Sequence, residues 1–276
     1  MIRLIIDSTA DLTAQEIEDL GVTVIPMKVC VDDKEYLAGV NLQNEEFFEL
    51  LKKCKTLPHT TQINQDEYQN IIKPFLDKGE DVFVMSLSSG LSGSFNSLRL
   101  ASEELNSAHL EIFDTQNVTL GFKVLVFEAL KLIKSGVSLH ELKAKMEELK
   151  QKCRLIAVVD NVKYLIKGGR LSLVAGIAVT ALNIKPIVTI KNGKVVVLSK
   201  GIGYNHAIKN LIKNLSNIDL EKSICIGHSN DLTRFEQFKK EIEKALNIKC
   251  EGCTGIGPII GTHAGPGCVA IAYLEK

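Results

Sequence analysis

Short apolar segments alternate with amphipathic segments through the first half of the chain. Runs rich in Ile, Val and Phe are typical of buried strands, which we predict at 2–6, 22–31, 82–86 and 110–113. Apolar residues recur at helical spacing in other segments, which predicts helices at 13–20, 44–53, 65–78, about 94–105, 120–134 and 138–152. Alternation of this kind is typical of an α/β domain built on a parallel sheet.

Three polar loops follow predicted strands of this sheet. They are Asp7-Ser8-Thr9, Ser88-Ser89-Gly90 and Asp114-Thr115. The carboxyl ends of parallel strands meet at one edge, where ligands of open α/β sheets bind. We therefore expect these loops to gather there.

The second half of the chain has a different pattern, which predicts an α+β domain. Strands are expected at 155–159, 186–191, 194–199, 223–227, 249–254 and 268–274, and helices at 161–167, 172–182, 205–216 and 232–246. Asn192-Gly193 is a strong signal for a two-residue hairpin turn. The predicted domains are 1–155 and 156–276.

Composition and charge narrow the function classes. Lys plus Arg and Asp plus Glu both total 33, giving a formal net charge of zero, and there is no Trp. A nucleic-acid partner is disfavoured, because nucleic-acid-binding proteins usually carry a basic excess or aromatic stacking platforms.

The apolar run at 173–182 is too short to cross a bilayer. We expect a cytoplasmic protein without an integral membrane segment, in which the seven scattered cysteines stay reduced.

The common catalytic and metal motifs do not appear in the sequence. It contains no Walker A, GxGxxG, GxSxG or HExxH pattern. Cys250 and Cys253 form a single CxxC without a second pair to complete a tetrahedral site, so we expect no metal.

Four polar motifs stand out, and each has a structural alternative. The segment 88–94 could hold an anion at a helix start or serve as a serine-rich cap. Thr60-Thr61-Gln62 could be a hydroxyl-lined site or an ordinary turn. His263 lies among four glycines at 257–267, where a structural turn is the alternative. Arg170 follows Gly168-Gly169, and an ion pair is favoured over ligand contact.

Six motifs in chain order resemble the DegV family along essentially the whole chain. They occupy 7–12, 60–62, 87–95, 165–172, 185–186 and 257–267. The resemblance implies a two-domain α/β protein that binds one long-chain fatty acid between its domains. It also implies no cofactor and no catalytic residues. The family usually has Thr-Ser-Gln-Pro-Ser where this chain has Thr60-Thr61-Gln62-Ile63-Asn64.

The resemblance also implies a set of site residues. The carboxylate ligands would be Thr60 and Ser89, with Thr61, Ser88 and His263 adjacent. Supporting positions would be Gly90, Arg170, Gly261, Thr262 and Gly265. The acyl tail would lie among the apolar side chains of 171–182 and 256–260.

The implied partners are the fatty acid, a fatty acid kinase that makes acyl phosphate for phospholipid synthesis, and transiently the membrane surface. The kinase-linked relatives typically carry an arginine near the position of Ile202, where Lys200 is a partial substitute. Two other classes stay open. One is a serine hydrolase using a loop serine, Asp114 and His263 in that order. The other is a polyol-binding phosphotransfer subunit.

Overall fold

The computed structural model describes residues 2–171, 183–250 and 252–276. In these residues the strands are β1 (Ile2–Asp7), β2 (Thr23–Ile25), β3 (Lys28–Val31), β4 (Lys34–Leu37), β5 (His59–Thr61), β6 (Asp81–Ser86), β7 (Leu110–Asp114), β8 (Cys153–Val158), β9 (Ile184–Lys191), β10 (Lys194–Ile202), β11 (Cys225–His228), β12 (Gly252–Gly255) and β13 (Val269–Leu274). The helices are α1 (Ala14–Leu20), α2 (Asn44–Lys53), α3 (Gln65–Leu76), α4 (Ser94–Leu105), α5 (Thr119–Lys134), α6 (Leu139–Lys152), α7 (Lys163–Lys167), α8 (Tyr204–Lys213), α9 (Leu232–Leu246) and α10 (Pro258–Ala264).

Three sheets organise the chain. A parallel sheet has the order β2-β1-β6-β7, a mixed sheet has the order β10-β9-β8-β13-β11-β12, and a small antiparallel sheet has the order β4-β3-β5. The predicted α/β architecture, with a parallel sheet first and a further sheet domain after it, is confirmed.

One helix joins the two large sheets into a continuous core. Helix α5 packs against β8, β11 and β13 of the mixed sheet and also against α6, which packs on β6 and β7 of the parallel sheet. Most of α5 is buried, because it has protein on nearly all sides. On the far face of the mixed sheet, α8 and α9 complete the layers.

The segment predicted as one strand at 22–31 is two strands in different sheets. Strand β2 pairs with β1, whereas β3 pairs with β4 and β5. The break falls at Pro26-Met27, because proline has no N–H for a ladder and the Met27 N–H donates to the Ser8 hydroxyl instead. Strands β4 and β5 were not predicted, since Lys34–Leu37 is largely polar and His59–Thr61 has only three residues.

The boundary predicted at 155/156 falls inside β8. This strand begins at Cys153, directly after α6 ends at Lys152, and its first residues already pair with β13. The helix predicted at 172–182 lies outside the described residues. No helix in the described part of the chain combines the length and apolarity needed to cross a bilayer.

Candidate functional site

A hydroxyl and an imidazole from opposite halves of the chain meet at one point. The Thr60 hydroxyl oxygen on β5 lies 3.1 Å from Nε2 of His263 on α10. Strand β5 pairs with β3 so that Thr60 stands beside Val29, which is completely buried. Side chains alternate along a strand, so Thr60 faces the interior and the exposed Thr61 faces away.

His263 lies in a helix where a glycine-rich turn was the alternative. The helix α10 begins with Pro258 and ends at Ala264, and Gly265 caps it with a φ of 71°. The backbone of Gly168 lies against the imidazole, since a β-carbon at Gly168 would be 2.3 Å from Nδ1. Nδ1 itself is buried and has no hydrogen-bond partner among the described residues. Burial and the nearby charge of Arg170 lower the pKa of His263 to about 4, so the ring is neutral at physiological pH.

Arg170 brings a positive charge to the same place. Its Nε donates to the carbonyl oxygen of Leu91 at 3.1 Å, and another guanidinium nitrogen donates to Gly168. No carboxylate of the described residues lies within ion-pair distance of it. The predicted ion pair is therefore not formed with these residues, and the guanidinium lines the cavity instead.

Ser92 is the second hydroxyl at this point; it belongs to the candidate anion segment 88–94 but was not among the residues predicted for the carboxylate site. It lines the same cavity as Thr60, Arg170 and His263. Its oxygen accepts from the Ser94 N–H at 3.2 Å, which holds the side chain at the start of α4. Its position at the start of a helix, after a parallel strand, is the one signal in the sequence for a role in binding. A helix cap explains the same position equally well.

These four side chains lie in a narrow cavity between the domains, which we call the polar lobe. It has a volume of about 70 Å³, and its other lining residues are apolar, namely Met27, Leu87, Leu91, Val118, Leu165, Val195, Ile259, Ile260 and Ala264. No acidic side chain is among them.

A second cavity, the apolar lobe, adjoins the polar lobe. It has a volume of about 60 Å³ and is lined by Val118, Thr119, Leu155, Ala157, Val159, Leu165, Val188, Thr189, Ile190, Val195, Ile256, Ile260, Ala264, Cys268 and Ala270. Both cavities share Val118, Leu165, Val195, Ile260 and Ala264 as walls. The apolar lobe has two threonines in its lining, and both hydroxyls donate to other protein groups, so the charged and imidazole side chains all lie in the polar lobe.

Two residues of the predicted carboxylate site, the ligand Ser89 and the adjacent Ser88, make other contacts. The Ser88 hydroxyl is buried and donates to the carbonyl oxygen of Gly193 at 2.6 Å. The Ser89 side chain is exposed, and its hydroxyl donates to Asp114 at 2.5 Å. Both follow β6 directly, where the backbone turns them toward the hairpin and β7, and neither lines the cavity. With Thr61, three of the five residues predicted for the carboxylate site thus face elsewhere.

The supporting positions shape the walls around His263. A β-carbon at Gly261 would lie 2.8 Å from the Phe48 ring, so glycine lets α10 approach α2 closely. Thr262 donates to the Pro258 carbonyl within α10. Gly265 packs on Tyr164, and Gly90 lies against the hairpin tip at Gly193.

The hydrolase triad is not assembled by these residues. Asp114 accepts from Ser89, whereas Nε2 of His263 lies next to Thr60. A general base needs the nucleophile and an orienting acid on its two nitrogens. His263 contacts neither Asp114 nor a loop serine in the hydrogen bonds of the described residues.

A wider cleft of about 450 Å³ lies on the other side of α10, at the carboxyl end of β1. Its lining includes Asp7, Asp11 and Glu45 and no basic side chain. Asp11 accepts from the Thr119 hydroxyl and the Gly257 N–H, and burial raises its pKa to about 7. This cleft offers a carboxylate no positive charge, so the polar lobe with Arg170 is the better carboxylate site although it is smaller.

Comparisons with known proteins agree with this architecture. The family model described as "Uncharacterised protein, DegV family" matches residues 1–276. A DegV domain-containing protein of Caldanaerobacter subterraneus is 32% identical over 282 residues, covering 100% of this chain and 99% of the relative.

Two solved structures share the fold over the whole chain. A fatty-acid-binding DegV family protein of Streptococcus agalactiae superposes with a TM-score of 0.89 at 26% identity, covering 100% of this chain and 99% of the other. A stearic-acid-binding protein of Eubacterium ventriosum gives a TM-score of 0.89 at 24% identity with the same coverage. From the family match and this shared architecture, the chain belongs to the DegV family.

Proposed function

We propose that this protein binds one long-chain fatty acid, with the carboxylate in the polar lobe and the acyl tail in the apolar lobe. The observation that carries the proposal is the guanidinium of Arg170, which lines an otherwise apolar cavity beside two hydroxyls and a neutral imidazole. A site with one positive charge and no acid in its lining is complementary to a single anionic head group.

The head-group residues offset the cost of removing a carboxylate from water. Thr60 and Ser92 supply hydrogen bonds, each worth roughly 1.5–3 kcal/mol to a charged group. The single N–H of neutral His263 orients the Thr60 hydroxyl. Arg170 adds the charge that an array of hydroxyls lacks. A neutral His263 can donate from one nitrogen while the other accepts, so the Thr60 hydroxyl is free to turn toward the carboxylate.

The tail supplies most of the affinity in this proposal. Each buried methylene contributes about 0.8 kcal/mol, so a sixteen-carbon chain contributes on the order of 10 kcal/mol. The two lobes measure about 60 and 70 Å³ in this structure, so their walls must move apart to admit a sixteen-carbon chain. The Streptococcus agalactiae protein, similar along its whole length, is described as fatty-acid-binding, which supports the same ligand class.

Extraction and rebinding test the proposal. The purified protein is extracted with organic solvent, the extract is analysed by mass spectrometry, and the delipidated chain is titrated with palmitate and oleate. We expect a copurified fatty acid and one-to-one binding. A folded sample that binds neither, but binds a small polyol such as dihydroxyacetone, would favour the polyol-binding class instead.

We further propose that the bound fatty acid is presented to a kinase that makes acyl phosphate, and that the chain itself is not catalytic. The family resemblance supports this step. Ile202, near the expected arginine, is 72% exposed at the end of β10, so an arginine fits there without repacking. Ile202→Arg should accelerate acyl phosphate formation with the kinase of the same organism. Acyl phosphate formation by the chain alone would contradict the non-catalytic role.

A further inference from the structure

The tip of the β9–β10 hairpin is attached to the first domain through one buried hydroxyl. The Ser88 hydroxyl donates to the carbonyl oxygen of Gly193 at 2.6 Å and accepts from the Gly90 N–H at 3.1 Å. Ser88 is completely buried. The same loop carries Leu87, Leu91 and Ser92 into the polar lobe.

Glycine lets both sides of this contact approach closely while the Ser88 hydroxyl is present. A β-carbon at Gly90 would lie 2.5 Å from the Gly193 carbonyl oxygen, and one at Gly193 would lie 2.5 Å from the Ser88 hydroxyl. Gly193 also has a φ of 72°, a conformation that favours glycine. The close approach of the hairpin tip to the loop therefore depends on the residue types at three positions, Ser88, Gly90 and Gly193.

The attached hairpin forms one wall of both cavities. Ile190 on β9 lines the apolar lobe, and Val195 on β10 lines both lobes. Strand β10 is the outermost strand of the mixed sheet and pairs with β9 alone among the described strands. The backbone ladder thus restrains the hairpin on one edge, and the bond from Ser88 restrains its tip.

We propose that Ser88 is a positioning residue that clasps the hairpin over the ligand cavity and sets the rate at which a bound fatty acid leaves. This inference rests on the proposed function. Opening the clasp lets Ile190 and Val195 move away from the tail without breaking the sheet. The Ser88 hydroxyl touches no ligand atom in this scheme.

The test compares release rates in two hydroxyl deletions. Ser88→Ala removes the clasp, and Thr254→Val is the matched control. Thr254 is also buried and also joins the second domain to the first, donating to the Asp11 carbonyl at 2.9 Å, but it lines neither lobe. A neutral hydrogen bond of ordinary strength predicts release of labelled palmitate about two- to tenfold faster in Ser88→Ala. We expect no change in Thr254→Val.

A reversible covalent clasp tests the same inference in the opposite direction. A β-carbon at position 193 lies 3.8 Å from Cβ of Gln116, a separation typical of disulfides. The triple variant Ser88→Ala, Gln116→Cys, Gly193→Cys should release palmitate slowly when oxidised and quickly when reduced. Ser88→Ala alone controls for effects of the reductant on native cysteines.

Hydrogen exchange of the wild-type chain needs no variant. Amides of 187–197 should exchange more slowly with palmitate bound than without it. Unchanged release in folded Ser88→Ala, equal acceleration in Thr254→Val, or exchange that palmitate does not alter would each overturn the clasp. If the wild-type chain binds no fatty acid, the proposed function is wrong. The clasp can still be tested without ligand, because it predicts that amides of 187–197 exchange faster in Ser88→Ala than in the wild type.

Discussion

The Thr60 hydroxyl oxygen lies 3.1 Å from Nε2 of His263, although 203 positions separate the two residues. Thr60→Val keeps the shape of the side chain and removes its hydrogen bond. Losing one bond to a charged head group corresponds to roughly a tenfold or larger increase in the dissociation constant for palmitate. Isothermal titration calorimetry measures this dissociation constant. Thr61→Val is the neighbouring control, because Thr61 faces away from the cavity. Equal effects from both variants would place the carboxylate elsewhere.

We expect Arg170 to make the site prefer a charged carboxylate over an uncharged head group. Arg170→Met keeps an apolar stem of similar length and removes the guanidinium. Affinity for palmitate should fall at least tenfold, while affinity for the corresponding sixteen-carbon alcohol should change little, since the alcohol carries no charge to compensate. Competition against a fluorescent fatty acid measures both ligands in one assay. A parallel loss for acid and alcohol would indicate a packing role only.

Ser92 and Ser89 form a matched pair in one loop. Ser92 lines the polar lobe, whereas Ser89 is exposed and bonded to Asp114. Ser92→Ala should weaken palmitate binding several-fold or more, and Ser89→Ala should leave it unchanged. Stopped-flow binding or calorimetry on the two variants decides between them. Weakening by Ser89→Ala alone would support the ligand set implied by the family resemblance.

We expect small residues in the lining of the apolar lobe to limit the length of the acyl tail that it accepts. Ala270 and Ala157 are paired across β13 and β8, and both line this lobe. Ala270→Leu should shift the preferred chain to shorter acids, because the added side chain occupies the cavity. Binding is measured across acids of twelve to eighteen carbons. Ile271 lies on the opposite face of β13, and Ile271→Leu keeps the side-chain volume. The chain-length preference of this variant should therefore match that of the wild type.

Asp11 is expected to make stability depend on pH. Its pKa is raised to about 7 in the folded chain by burial, above its ordinary value of 3.8. A raised pKa means that the protonated form is favoured by folding, so its stabilising effect is complete at low pH and is lost as pH rises toward 7. Asp11→Asn cannot ionise and keeps an acceptor for the Gly257 N–H. Its free energy of unfolding should therefore increase relative to wild type between pH 5 and 8.

Urea denaturation at several pH values measures this difference. Asp19→Asn, which replaces an exposed carboxyl on α1, is the control and should follow the wild-type pH dependence. Parallel curves for Asp11→Asn and wild type would mean that the pKa of Asp11 is not raised in the folded chain.

Local features of the fold could be read from the chain because they depend on neighbouring residues. Thr13 and Glu16 form a capping box at the start of α1, and Gly21 ends that helix with a φ of 64°. Asn192-Gly193 takes positive φ at both positions and joins β9 to β10. Each arrangement is specified within a few residues, where capping and turn chemistry act.

The meeting of the three polar loops also followed from the pattern of the chain. The Leu87 N–H donates to Asp7 at 2.7 Å, and the Ser89 hydroxyl donates to Asp114. Parallel strands place their carboxyl ends together whatever the details of the side chains, so strand order was enough to gather these loops.

The orientation of each hydroxyl was decided by the tertiary structure. The register of β5 against β3 points Thr60 inward and Thr61 outward, and the hairpin tip takes up the Ser88 hydroxyl. Arg170 was expected to form an ion pair, yet it lines a cavity whose other walls come from distant segments. A shift of one residue in a strand reverses every side chain, and long-range contacts set that register. Short-range sequence signals therefore located the loops, while packing between the two halves of the chain selected which of their side chains face the cavity.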